Sequence, residues 1–320
     1  MPSPLPAKHT IRVIVAYFFI YVVWGSTYFF IGVALKGLPP FLLGAIRFSF
    51  AGLLLLIWCI MRGERVFRKE LLIKSAISGI VLLFVDMAVV MLAQQYISSS
   101  LVAIIAASTA LWILLLDIPM WKTNFRRWTV TVGVFIGFAG VILLYLEQTL
   151  MQQSGSKSEY GVILSIIGCI SWALGTLYAK YRSSSVEGQN AMAGTAWQMI
   201  SASLMFWICT FFSGGIGRTD FSIIPATTWY SLIYLIIFGS IFAYSSYIWL
   251  LKVRPTSEVS THAYVNPVIA AILGSMLGNE NVTLIQISGM MAILFSVMMI
   301  NRRRQEPRDK KQENRISSHS

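Results

Sequence analysis

The sequence predicts an all-α membrane protein: ten transmembrane helices in two inverted five-helix repeats, with the N- and C-termini cytoplasmic. Three observations carry this reading. The chain has more apolar surface than one globular core can hide, since 56% of its 320 residues are hydrophobic and only 12% are charged, against roughly 25% charged in a soluble domain. Its apolar runs are long enough to span a bilayer. Its basic residues gather in alternate connectors between those runs.

A hydrocarbon core near 30 Å needs about 20 apolar helical residues. Runs of that length lie near residues 11–35, 41–61, 72–93, 97–120 and 128–146, and again near 160–181, 190–212, 227–251, 257–278 and 282–301. The first is too long for the h-region of a signal peptide and is expected to remain as a helix. Breaks fall at Gly37-Leu38-Pro39-Pro40, the charged stretch Arg62 to Lys74, Ser213-Gly214-Gly215 and Arg254-Pro255. No connector is large enough for a soluble domain.

Of the 25 Lys and Arg, 21 fall on one side of ten alternating spans. They sit at the N-terminus, in the second, fourth, sixth and eighth connectors, and in the tail. The opposite side holds Lys36, Lys157 and Arg218, and Arg47 lies within the second span. The positive-inside rule therefore puts both termini in the cytoplasm. The formal charge of +12 reads as topology, not as a nucleic-acid surface. The tail, 302–320, is basic and aperiodic, and is expected to be disordered. Cys59, Cys169 and Cys209 lie inside apolar runs without paired spacing, so neither a disulfide framework nor a metal site is indicated.

The halves resemble each other. Ser99-Ser100-Leu101-Val102-Ala103 through Thr109-Ala110-Leu111-Trp112 matches Ser257-Glu258-Val259-Ser260-Thr261 through Asn266-Pro267-Val268-Ile269 at an offset of 157 residues. Trp24-Gly25-Ser26-Thr27-Tyr28 parallels Trp172-Ala173-Leu174-Gly175-Thr176, and Gly133 falls opposite Gly289. Repeats of five helices enter the membrane in opposite directions. That plan, common among secondary transporters, puts a solute site near the midplane.

Trp24-Gly25-Ser26-Thr27-Tyr28, Pro39-Pro40, Arg47-Phe48, Gly137-Phe138-Ala139-Gly140-Val141, Phe238-Gly239-Ser240, and Ala263-Tyr264-Val265-Asn266-Pro267-Val268 followed by Glu280 resemble the EamA-type transporters of the drug/metabolite transporter (DMT) superfamily. The resemblance covers 11–301. It implies a first EamA repeat over 11–146, a second over 160–301, and efflux of amino acids, other metabolites or drugs across the bacterial cytoplasmic membrane. Two departures matter. The family often carries Pro where this chain has Ala110, so only the second repeat keeps a helix-breaking proline, Pro267, and local unwinding is expected to be asymmetric. The Gly-Glu pair that closes the fourth and ninth helices appears as Lys122-Thr123 and as Gly278-Asn279-Glu280.

Ionisable groups deep in a span are costly and become functional candidates. Asp86, midway along the third span, is the candidate for proton coupling, with Gln94 two turns on along the same face. Arg47, Gln198 at the corresponding place in the seventh span, and Glu280 are read as structural polar groups, with Glu280 or Asp86 as candidate partners for Arg47. Asp117 and Glu258 are expected at the interface, and His262 is read as a packing residue. Interfacial belts explain Trp121, Trp128 and Trp229. Trp24, Trp112 and Trp172 fall too deep for that. With Tyr28, Gln94, Ser108, Thr176, Tyr244, Tyr247, Tyr264 and Asn266 they are expected to line a central pocket for an amphipathic or aromatic solute, through stacking and cation–π contacts.

Rival classes lack their signatures. There is no Gly-x-x-x-x-Gly-Lys-Ser/Thr for an ATP-driven pump, and no His-Glu-x-x-His or Gly-x-Ser-x-Gly for a hydrolase. The expectation is a secondary transporter without cofactor, whose partners are a small-molecule solute and the bilayer. The alternatives are a passive facilitator or channel, or an importer, with a membrane enzyme a distant third. Substrate, direction and oligomeric state are not encoded in any motif.

Overall fold

The computed structural model describes residues 7–126, 128–150, 157–178, 181, 191–254, 256–259 and 261–302. Among these residues all regular structure is helical. Eight helices are long and apolar enough to cross a membrane: α1 (Ile11–Ala34), α2 (Pro40–Met61), α3 (Lys69–Ala93), α4 (Ser99–Leu116), α5 (Trp128–Leu150), α6 (Ser158–Tyr178), α7 (Met192–Phe212) and α8 (Ala226–Leu250). Two shorter apolar helices come after them, α9 (His262–Leu277) and α10 (Leu284–Ile300). The tail from Arg303 onward lies outside the described residues.

Local sequence sets the helix ends. Pro40 opens α2 at a position whose N–H has no intrahelical partner. The Ser98 hydroxyl accepts the Leu101 N–H to cap α4. α2 ends with Gly63 in the left-handed region, its N–H on the Ile60 carbonyl and the Glu64 N–H on Cys59. α7 ends the same way at Gly214, with bonds from Gly214 to Phe211 and from Gly215 to Thr210. Both are Schellman closures, and they stand 151 residues apart, as do Arg47 and Gln198.

Helix pairing follows one rule. α2 packs on α7, α4 on α9 and α5 on α10, while α1 on α8 is matched by α6 on α3, α1 on α9 by α6 on α4, and α2 on α8 by α7 on α3. Each of these neighbourhoods survives exchange of the two halves. Side chains obey the exchange too. Gly140 meets Gly289 across α5 and α10, and Gly133 meets Ser296, whose hydroxyl donates to the Gly133 carbonyl at 2.5 Å. Arg47 Nε donates to Ser240 Oγ at 2.9 Å, and Gln198 Nε2 donates to Ser78 Oγ at 3.0 Å.

The expectation that unwinding would follow proline is corrected. α9 stays helical through Pro267, whereas α4, which has no proline, breaks at Ala107–Ser108. There the Thr109 hydroxyl takes the Ala106 carbonyl at 2.7 Å, and the Ile105 carbonyl accepts from the Ser108 N–H at 2.9 Å and from the Cys169 thiol at 3.4 Å. Both residues keep helical dihedrals, so only the hydrogen-bond ladder is interrupted, and carbonyls freed inside a span persist only where such donors satisfy them.

Candidate functional site

Three π-helical segments set the site. They occupy Phe19–Val23 in α1, Gly79–Val85 in α3 and Leu235–Phe242 in α8. A π turn adds a residue and re-aims the side chains beyond it, and such turns gather at functional sites. The residues directly beyond these three segments are Trp24, Asp86 and Ala243-Tyr244.

Trp24 is the hub of an aromatic cluster drawn from four helices. Its ring meets Trp172 of α6 at 6.1 Å, and Tyr244 and Tyr247 of α8 at 6.2 and 5.2 Å, all edge-on. It lies nearly parallel to His262 of α9 at 5.2 Å. Trp24, Trp172, Tyr247 and His262 keep partly accessible surface amid the packed helices. His262 is the member that sequence reasoning missed. Its ring also meets Tyr247, and its Nδ1 faces the Val259 carbonyl at 2.9 Å, so Nδ1 carries the proton and Nε2 is left as an acceptor. The one available signal was its position a turn before Asn266-Pro267.

Asp86 is buried against α6. A Cβ at Gly168 would lie 3.2 Å from Asp86 Oδ1, so glycine there makes room for the carboxylate. Tyr28 and Cys169 lie within electrostatic reach of it. Asp86 has no hydrogen-bond or ion-pair partner among the described residues. Ser108, at the α4 break, donates to Cys169 Sγ at 3.7 Å. A chain of hydrogen bonds ties the cluster to α3: Tyr244 donates to Gln198 Oε1 at 2.8 Å, and Gln198 reaches Ser78 just before the π segment that ends at Asp86.

Other expected members are placed differently. The ring partner of Trp112 is Phe138 of α5, 5.0 Å away and edge-on, and its Nε1 is buried without a partner. Thr176 and Tyr264 are half-buried on α6 and α9. Asn266 is a tie between helices. In the amide orientation that satisfies its neighbours, Nδ2 donates to the carbonyls of His262, Tyr21 and Ile20 at 3.1, 3.1 and 2.9 Å. The last two lie in the π segment of α1. Gln94 is two turns along α3 from Asp86, beside Gly32, and neither of its amide atoms has a partner.

The polar residues read as structural separate as well. Arg47 is paired with neither Glu280 nor Asp86. It bonds Ser240 and lies 5.0 Å from the Phe48 ring centroid. Glu280 instead clamps the start of α4. Its Oε1 accepts from the Ser99 N–H at 3.0 Å and hydroxyl at 2.6 Å, and its Oε2 from the Ser100 N–H at 3.0 Å and hydroxyl at 2.5 Å. A carboxylate is at its most favourable on the unpaired N–H groups of a helix N-terminus. Asp117 accepts a hydrogen bond from Tyr181, and Tyr17 donates to Glu258 at 3.5 Å.

An arrangement of helices around a buried, unpaired carboxylate and a ring cluster suits solute binding within a membrane, and comparison with known proteins agrees. The model of the EamA-like transporter family matches residues 11–146 and 159–302. The chain is 33% identical over 288 residues to the uncharacterized inner membrane transporter YedA of Escherichia coli K12, covering 89% of both chains. It is 29% identical over 275 residues to an uncharacterized transporter of Archaeoglobus fulgidus, covering 81% of this chain and 86% of the relative. A solved crystal structure aligns with a TM-score of 0.63 at 17% identity over 92% of this chain and 99% of its own, which supports the fold. The chain belongs to the EamA-like transporter family of the drug/metabolite transporter superfamily, and is a multi-pass transporter of the cytoplasmic membrane.

Proposed function

We propose that the protein exports a small amphipathic or aromatic, amino acid-like solute by alternating access, with Asp86 as the group that couples export to protons. In this reading ten helices span the membrane with both termini cytoplasmic, and two repeats, 11–146 and 160–301, rock about a midplane site. The helix pairings that survive exchange of the halves support the inverted repeat, as does the 21-to-3 division of basic residues.

The observation that carries the proposal is Trp24. One indole from the first half is held against rings of α6, α8 and α9 in the second, a turn from Tyr28, which lies within electrostatic reach of Asp86. Rings that both halves supply change their spacing when the halves move. A solute that stacks on them is then gripped in one state and released in the other. The Glu280 clamp joins the end of α9 to the start of α4, and so closes the outer side.

Cells overproducing the wild type or Asp86→Asn test this by untargeted comparison of medium and cell contents. One metabolite class should accumulate outside with the wild type alone, and efflux should follow an imposed proton gradient. Normal export by Asp86→Asn with unchanged pH dependence would reject the coupling. Unchanged transport and yield in Trp24→Ala would reject the ring site.

A further inference from the structure

A cavity of about 380 Å³ opens away from the Trp24 cluster, where the α3–α4 connector meets the end of α5 and the start of α10. Five primary carboxamides line it, from Gln94, Gln95, Gln148, Asn281 and Gln286, together with the Ser98 hydroxyl, and no charged side chain lines it. This end of the bundle carries few basic residues. Gln94 is eight residues from Asp86 on α3, a rise of about 12 Å, so the cavity and the central carboxylate share a helix but not a site.

Two side chains show that the polar lining is unfinished. Both amide atoms of Gln94 are buried without a partner. Gln286 is only 6% exposed, and its Oε1 is buried without a partner. Buried amides in this state cost free energy that a bound group returns once the side chains turn toward it. The carboxylates nearby, Glu147 and Glu280, do not line the cavity. Glu147 Oε1 accepts from Thr283, whose hydroxyl also accepts the Gln286 backbone N–H at 3.1 Å, while Glu147 Oε2 is buried without a partner, and Glu280 is held by Ser99 and Ser100.

We propose that this cavity is a second solute site at the outer end of the transport route, specific for uncharged groups that donate and accept hydrogen bonds together, such as a primary amide or a diol. Carboxamides fit that demand because each offers an N–H pair and a carbonyl a few ångströms apart, with no net charge to attract or repel an ion. The outward placement rests on the topology proposed above; the chemistry of the cavity does not.

Saturation-transfer NMR on the full chain in lipid nanodiscs tests the chemistry with three-carbon probes: propanamide and glycerol against propylammonium and propanoate. The neutral pair should receive saturation and the ions should not. Gln286→Leu and Gln95→Leu should each weaken propanamide binding by about fivefold, the worth of one net hydrogen bond, while Trp24→Ala leaves it unchanged. Gln95 is exposed, so its variant reports on the cavity even if Gln286→Leu fails to fold. Equal signals from all four probes, or propanamide binding that neither glutamine variant alters, would overturn the site. Placement is read separately, by labelling Gln95→Cys, whose position is exposed, in intact cells with a membrane-impermeant maleimide against the wild type as background. Propanamide binding without surface labelling would retain the cavity and reject its outward position.

Discussion

Helices α4 and α9 occupy matching places in the two halves, yet they handle the same problem in opposite ways. α9 contains Pro267 and stays continuous, while α4 has Ala110 at the matching place and breaks. In α9, Asn266 turns its amide onto the carbonyls of His262, Tyr21 and Ile20, so the helix is tied to α1 beside the proline, whose missing N–H leaves the Ala263 carbonyl without its helical donor. In α4, Thr109 and Cys169 supply donors to Ala106 and Ile105. Proline by itself does not break a span, and a span can break without one.

Variants in the two helices can break that comparison. The largest loss is expected from Glu280→Ala, which strips four charge-assisted hydrogen bonds from the start of α4 and should cost about 3 kcal/mol of stability, read as a lower unfolding temperature in detergent. Gly274→Ala should repeat the lesion, because its Cβ would collide with Ser100 Oγ and Glu280 Oε2. Asn266→Leu comes next, at about 2 kcal/mol, since three carbonyls lose one donor group that they share. Thr109→Val should cost about 1 kcal/mol and Cys169→Ala less, thiols being weak donors. Ala110→Pro should be the mildest, under about 1 kcal/mol against about 3 in an unbroken helix, because it sits in the first turn after the break. A cost for Ala110→Pro equal to that of Asn266→Leu would mean that the two helices are not opposites after all.

These differences also mark how far the sequence could be read. Span positions were legible because each is a run of about 20 apolar residues between charged or Gly-Pro connectors: 41–61 against Pro40–Met61, and 128–146 against Trp128–Leu150. The ring cluster was legible in part, because Trp24 and Trp172 repeat one spacing in paired halves. Depth along a helix was harder. Periodicity put Gln94 on the face of Asp86 without separating the outer cavity from the centre, and Trp112 shared the burial of Trp24 but turned toward Phe138. The Glu280 clamp was beyond sequence reasoning, since its partners lie 181 and 180 residues away. The break in α4 was equally hidden, since one of the donors that satisfy it is a thiol on another helix.

The pairing of α5 with α10 bears on the origin of the chain. Gly140 meets Gly289 and Gly133 meets Ser296, so each helix offers its counterpart the surface that it receives. A polypeptide of half this length, inserted once in each direction, would present both sides of that crossing, and of the α2–α7 and α4–α9 crossings as well. Under the inverted repeat proposed above, these interfaces have the form that an antiparallel homodimer would need. Fusion of two such genes would have turned a bimolecular assembly into a single chain without requiring a new contact. It would also have freed the copies to differ, as Pro267 in one and Ala110 in the other do.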